Sequence, residues 1–279
     1  MSDSNSFLAR AQNKSGVLKS LLTHHVLIFQ LTKRSIVGRY RGSIAGIAWS
    51  LVIPLLMLAV YTLVFGFIFQ FRFKQGEGGS NTDFALFLFT GIVVHGLLSE
   101  CLNRAPGTIV NNAQYVKKIV FPVECLAWIS VFTALFQTTI SIFVLTVFLL
   151  LVKGTIYWTV LLIPLIFAPL VIVSVGLVWI IGGLSVYVRD LAQLTGVLST
   201  LLLFLAPIFY PVSALPANLQ SFIYINPIAF IVEQTRKVVI DGVQPNWFGL
   251  LIYSVIAIGI AVVGLKLFQR MRRGFADAL

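Results

Sequence analysis

Charge is what this chain lacks. Only 10% of its 279 residues are Asp, Glu, Lys or Arg, and it holds 9 acids and 3 histidines. Soluble globular chains carry about a quarter charged residues, so a folded globule in water is excluded. The two cysteines, Cys101 and Cys125, cannot frame a disulfide scaffold, and both fall at run ends that the charge pattern assigns to the reducing side. His24 and His25 are adjacent and point to different parts of a helix, which suits metal chelation poorly. A G-x-x-x-x-G-K-[S/T] loop is missing too, since the densest glycine run, Gly76, Gly78 and Gly79, surrounds Glu77 and precedes no lysine. The chain therefore carries no nucleotide-hydrolysing engine of its own.

Long apolar runs occupy the space that charge leaves. Hydrophobic residues make up 58% of the sequence. From Ile44 to Phe71 there is no acid, base or histidine, and as a helix this run is roughly 42 Å long against a hydrocarbon core of roughly 30 Å. Further uncharged runs cover Phe84 to Ser99, Cys125 to Val152, Tyr157 to Val188, Leu191 to Phe209 and Phe248 to Leu265. The expected fold is an all-α integral membrane protein with six transmembrane helices. Its parts are a cytoplasmic segment over residues 1–43, a six-span domain over 44–269 and a cytoplasmic tail over 270–279.

The net charge of +11 would suggest a nucleic-acid partner in a soluble protein, but its placement argues otherwise. Arg10, Lys14, Lys19, Lys33, Arg34, Arg39 and Arg41 precede the first run. Arg104, Lys117, Lys118, Arg189, Lys266, Arg270, Arg272 and Arg273 share that side, against Arg72, Lys74, Lys153, Arg236 and Lys237 opposite. The positive-inside bias then puts both termini in the cytoplasm. Apart from His95, the runs hold no ionisable group. Ion-driven carriers place carboxylates or other polar ligands near the midplane, so uphill transport by this chain would draw its energy from outside the membrane.

Ahead of the first run, Leu18, Leu21, Leu22, His25, Phe29, Thr32 and Ile36 recur at helical spacing while Lys19, Thr23, Gln30, Lys33 and Arg34 fall elsewhere. This predicts an amphipathic helix along the inner face. Between the second and third runs, Tyr115, Val116 and Ile119 form one side of a short helix whose other side carries Asn111, Asn112, Lys117 and Lys118. Pro122 and Glu124 suit the first turn of the third span, where an acid meets the positive dipole end.

Pro207, Pro211, Pro216, Pro227 and Pro245 break the segment after the fifth run. Asn226 and Pro227 read as N-cap and first residue of a helix that Gly242 stops, with an earlier short helix from Pro216 to Tyr224 carrying Leu219, Phe222 and Ile223. Together they predict re-entrant outer helices between the fifth and sixth spans, tolerated only under cover of protein or beside a water-filled cavity. Glu233, Arg236 and Lys237, three and four apart, are expected to pair on a solvated face. Phe65, Phe67, Phe69, Phe71 and Phe73 spread rings around the outer end of the first span as an interfacial belt. Tyr61, Phe65 and Phe69 instead share one face, an apolar surface over which sugar rings can slide.

The block Arg39-Tyr40-Arg41-Gly42-Ser43, followed by Gly46, Trp49, Pro54 and Tyr61-Thr62-Leu63-Val64-Phe65, resembles the opening of type-2 ABC exporter permeases that move O-antigen, capsular polysaccharide or teichoic acid. Val188-Arg189-Asp190-Leu191 and Phe209-Tyr210-Pro211, continuing through Pro216 to Asn226-Pro227, extend the resemblance in order from about residue 25 to 270. It implies a homodimer with two copies of a separate ABC ATPase subunit, which supplies ATP and Mg, no cofactor being expected in this chain. It implies a lipid-linked glycan substrate and a bacterial cytoplasmic (inner) membrane location, with membrane lipids as partners and no nucleic acid.

Carried onto this sequence, the resemblance places ATPase docking at Leu21, Leu22, Phe29, Tyr115, Val116, Lys117 and Lys118. It places the substrate pathway at Tyr61, Phe65, Phe69, Phe204, Phe209 and Tyr210, and an outer gate at Pro216, Phe222, Asn226, Pro227, Glu233 and Arg236. Two alternatives stay open on sequence alone: a related permease exporting a drug or small lipid-like compound, and a membrane-embedded enzyme acting on lipid-linked sugars.

Overall fold

Helix is the only regular structure among the described residues of the computed structural model, which are 22–64, 81–116, 121–212 and 216–278. Expectations placed on Leu21, Phe65, Phe69, Lys117 and Lys118 lie outside them. Helix α1 is His25–Arg39, α2 Trp49–Tyr61, α3 Asn81–Arg104, α4 Gly107–Val110, α5 Ala113–Val116 and α6 Cys125–Lys153. Then follow α7 Ile163–Leu184, α8 Leu191–Leu205, α9 Ala217–Ile223, α10 Ala229–Arg236, α11 Trp247–Met271 and α12 Phe275–Ala278. Among the described residues, five helical stretches are long and apolar enough to cross a membrane: Gly46–Val64, Thr82–Arg104, Cys125–Lys153, Trp158–Leu184 and Trp247–Gly274.

The fifth expected run, Leu191 to Phe209, is shorter as a helix than the sequence suggested. It ends at Leu205, with Ala206 extended at φ −83° and ψ 152°, because a residue before proline is pushed out of the α region. Helix α8 is then about 22 Å long, less than a full hydrocarbon core. Its outward side is apolar, with Leu194, Val197, Leu201 and Phe204 exposed, while Thr195 and Ser199 are buried. Apolar out and polar in reverses the pattern of a surface helix in water.

Most of the surface of α3 is buried, and it packs against α2, α6, α7, α8 and α10. The most extensive helix pair is α7 with α11. A Cβ on Gly264 would lie 2.5 Å from the Gly176 carbonyl oxygen, and one on Gly176 would lie 2.9 Å from Cα of Ala261. The two backbones touch, which is how helices associate where lipid tails are as apolar as leucine.

At the end of the bundle that holds α1, the chain terminus is bolted to this pair. Arg272 Nη1 lies 2.8 Å from Glu124 Oε1, and Glu124 is buried. Trp179 Nε1 donates to the Glu124 carbonyl at 3.0 Å. The expected role of Glu124 at a helix start is therefore incomplete: its carboxylate makes no cap bond and meets a cation from the far end of the sequence. Phe275 rests edge-on against Phe268 and tilted against Tyr187, whose hydroxyl donates to the Met271 carbonyl at 2.8 Å.

Gly264→Val is expected to destabilise the protein by at least the ~1–3 kcal/mol of an overpacked core, because the added atoms meet backbone that cannot rotate away. Gly259, where a Cβ meets nothing within 4 Å, is the control. Thermal unfolding in detergent should fall clearly for Gly264→Val and stay put for Gly259→Val.

Candidate functional site

The expected functional residues fall at the two ends of α3. At one end α1 lies against α6, with Ile28 and Thr32 buried on the packed side and Leu22 and Phe29 exposed on the other. Arg39, at the end of α1, and Arg104 both bond to Glu100 Oε1 on α3, the latter at 2.9 Å. One carboxylate thus neutralises one of two guanidinium groups and leaves the cluster positive. Beside it, α5 falls within the expected loop helix, whose residues from Lys117 on lie outside the described ones, and α4 precedes it as a further turn. Tyr115 stacks on Phe121 with centroids 4.7 Å apart and accepts a long bond of 3.4 Å from Arg34 Nη1, while Val116 is half-buried. Between α1 and these turns opens a cleft of about 860 Å³, lined among others by Leu31, Arg34, Asn103, Asn112 and Tyr115. Two elements that lie some eighty residues apart in sequence thereby share one surface.

At the other end, residues 206–212 and 216–242 pack as short helices and turns fixed by buried polar bonds. The Asn226 Oδ1 accepts from Ile228 N at 3.1 Å and its Nδ2 donates to the Leu202 carbonyl at 2.9 Å. Helix α10 therefore begins two residues later than expected, with Ile228 in the cap position, and the side chain of Asn226 closes the turn ahead of it. The Pro227 carbonyl accepts from Tyr253 of α11 at 2.5 Å. After α10 a π turn, Lys237–Asp241, ends at Gly242 in the left-handed region at φ +67°. Its widened ring frees the Val238 carbonyl, which accepts from Thr159 at 2.6 Å. Pro216 and Phe222 are exposed, and Pro227 is half-buried.

The expected pairing of Glu233, Arg236 and Lys237 is corrected here. Glu233 accepts from the Tyr224 hydroxyl at 2.8 Å, and burial together with that bond pushes the Tyr224 phenol up to about 12, so it remains a donor at neutral pH. Arg236 is only 7% exposed. Its Nε and Nη2 donate to the Phe87 carbonyl at 3.2 and 3.1 Å, Nη1 to the Pro207 carbonyl at 2.5 Å and Nη2 also to the Ile208 carbonyl at 2.9 Å. The guanidinium carbon sits 3.3 Å from the centre of the Phe87 ring. Glu233 and Lys237 are part-exposed, but Arg236 leaves the expected solvated face, because it folds inward against α3 and the end of α8.

Of the expected pathway residues, Phe204 and Phe209 stack with centroids 5.7 Å apart, and the Tyr210 hydroxyl donates to the Phe204 carbonyl at 3.3 Å. Tyr61 is half-buried at the end of α2 and packs against the core. A polar seam joins α3 to α8, in keeping with the hydrogen-bonded helix-packing role that a lone His within a span leads one to expect, though its serine partners could not be read. His95 Nε2 donates to the Ser199 carbonyl at 3.0 Å, and the hydroxyls of Ser99 and Ser199 lie 2.5 Å apart. Gly91, His95, Ser99 and Asn103 recur every fourth residue, a legible signal for one helix face.

Residues 26–240 match the ABC-2 type transporter family, and the chain belongs to it. It is 23% identical over 270 residues to the O-antigen export system permease protein RfbA of Myxococcus xanthus, covering 94% of this chain and 99% of that one. A protein of the same name from Klebsiella pneumoniae is 25% identical over 255 residues, covering 91% and 95%. The polysialic acid transport protein KpsM of Escherichia coli is 23% identical over 250 residues, covering 85% and 92%. The chain is thus a multi-pass membrane protein of a transporter family.

Glu100→Ala should loosen the last turn of α1. A half-exposed ion pair is worth about 1 kcal/mol, so trypsin cleavage after Arg39 and Arg41 is expected to speed up about fivefold through local opening. An unchanged cleavage rate would mean that the packing of Ile28 and Leu31 alone holds the helix.

Proposed function

We infer that this chain is the permease subunit of an ATP-driven exporter that moves a lipid-linked polysaccharide, such as an O-antigen, across the bacterial cytoplasmic membrane. The observation that carries this reading is family membership over 26–240 combined with near full-length similarity to permeases named for O-antigen and polysialic acid export. Their coverage leaves no room for the likeness to rest on one shared segment.

In this reading α8 and the turns after it complete a sixth crossing, so both termini are cytoplasmic, in line with the basic side chains gathered at the α1 end. The segments 206–212 and 216–242 are the two sides of a re-entrant hairpin at the outer face, acceptable at membrane depth because its freed backbone groups find partners in neighbouring helices. The subunit works as a homodimer with two copies of a separate ATPase. That ATPase docks on the surface shared by α1 and the α4–α5 turns, where Leu22 and Phe29 offer apolar contact and Arg34 and Tyr115 polar contact. ATP and Mg belong to that partner.

Closure of the two ATPase subunits would be transmitted through α1 and α3 and shift the permease between closed and open states. Tyr61, Phe204, Phe209 and Tyr210 line the route. Aromatic faces hold sugar rings by apolar contact without a fixed hydrogen-bond pattern, which permits stepwise passage of a long polymer.

Two measurements test the reading. Cells whose partner ATPase cannot hydrolyse ATP should show no polymer at their surface, and undiminished export would refute the coupling. Arg34→Glu combined with Tyr115→Ala should reduce co-purification of the ATPase about tenfold, the scale of one or two lost interface anchors; full recovery would remove these turns from the docking surface.

A further inference from the structure

The most unusual group in the molecule is the Arg236 side chain, a buried cation whose hydrogen bonds go to backbone carbonyls rather than to a carboxylate. Burying a guanidinium is unfavourable unless its donors are satisfied. Here they are satisfied by two different elements at once: Phe87, near the start of α3, and Pro207 with Ile208, just past the broken end of α8. Those last two carbonyls lie where Pro207 has ended the helix, so they lack the ladder partners that a continuing helix would supply.

Space for the guanidinium comes from Gly91. A Cβ at that position would lie 3.0 Å from Arg236 Nη2 and 3.1 Å from Ile208 Cγ2. The neighbouring glycine on the same helix, Gly96, has nothing within 4 Å of a built Cβ. Gly91 is therefore tight on account of both Arg236 and Ile208, where the hairpin, α3 and the end of α8 meet.

Resting on the reading of segments 206–212 and 216–242 as the outer gate, we propose that Arg236, seated over Gly91, is the latch that holds this gate shut and that must release in each transport cycle. Arg236 is a positioning residue: it touches no sugar, and it fixes the α8 end and the hairpin against α3. Neutral carbonyl acceptors suit such a latch. A cation held by them exchanges its bonds for water as the outer end hydrates, whereas a buried carboxylate would retain it far more strongly. The Phe87 ring, 3.3 Å from the guanidinium carbon, stays available as a cation–π surface while those bonds re-form.

Ile208 is completely buried beneath the latch, so a cysteine there reports its opening. In cells carrying the full transporter with an ATPase-dead partner, Ile208→Cys should be protected from a membrane-impermeant maleimide. Adding Arg236→Lys should raise its labelling on the order of tenfold, the scale of one charge-assisted hydrogen bond lost. Equal protection in both would overturn the proposal. Val243→Cys, at an exposed site beyond the hairpin, is the control for the underlying reading: if it fails to label from outside, the hairpin is not at the outer face.

A second measurement does not depend on Arg236 variants folding. Gly91→Cys with Ile208→Cys replaces the polar latch by a covalent one. With an active partner, oxidant should stop polymer export and reductant should restore it. Full export from a quantitatively cross-linked protein would show that α3, α8 and the hairpin move as one body and would sink the latch, as would a pair that never cross-links.

Discussion

Every helix that breaks inside this apolar bundle frees backbone carbonyls, and hydrocarbon offers them no water. This constraint organises the polar side chains of the molecule. Pro54 cannot donate to the Ser50 carbonyl four residues earlier, and Gln137 of α6 supplies the missing donor at 2.9 Å while Tyr40 bonds its amide oxygen at 3.2 Å. At the end of α8, Asn226 takes the Leu202 carbonyl, Tyr210 that of Phe204, and Arg236 those of Pro207 and Ile208. Thr159 serves the π turn at Val238, and Ser185 reaches the Pro106 carbonyl at 2.8 Å where α3 gives way to α4. Several of the polar side chains that reach across the fold thus sit where the helical ladder fails.

The same bonds decide which elements move together. Both ends of the proposed machinery converge on α3, through Glu100 with Arg39 at one end and through the Phe87 carbonyl and ring with Arg236 at the other. The α7–α11 pair, closed by Gly176 against Gly264 and tied to the start of α6 by the Glu124–Arg272 ion pair, is a separate clamp behind it. An arrangement of this kind has a fixed support and a single helix that meets both the docking face and the hairpin. Packed cores are bistable rather than continuously deformable, so a push delivered at one end of such a helix arrives at the other end as a displacement of whole elements.

What the sequence made legible follows from what its physics makes local. Uncharged runs of sufficient length declare spanning helices without reference to anything else, and proline positions declare where they stop, so the breaks near Pro207 and Pro227 and the stop at Gly242 could be read directly. Long-range partners could not be read. Nothing near Arg236 in sequence indicates that its side chain faces Phe87, 149 residues away, and the nearby Glu233 gave a plausible local partner that the fold assigns to Tyr224 instead. Glu124 does stand at the start of its helix, as a local argument predicts, but its partner Arg272 comes from the far end of the sequence. The four-residue rhythm of Gly91, His95, Ser99 and Asn103 was visible, yet its meaning required knowing that Ser199 lies opposite.

That rhythm also explains why α8 can be short. A helix of about 22 Å held in a bilayer by apolar surface alone would slide to bury its ends, because a mismatch costs only fractions of a kcal/mol per Å. His95 and Ser99 bonding to Ser199 fix its depth against α3, and Arg236 fixes its broken end. Polar side chains in a membrane interior act as register marks as much as glue. Here they hold one short helix at a single height, so that the hairpin packed on its end has a defined place to close.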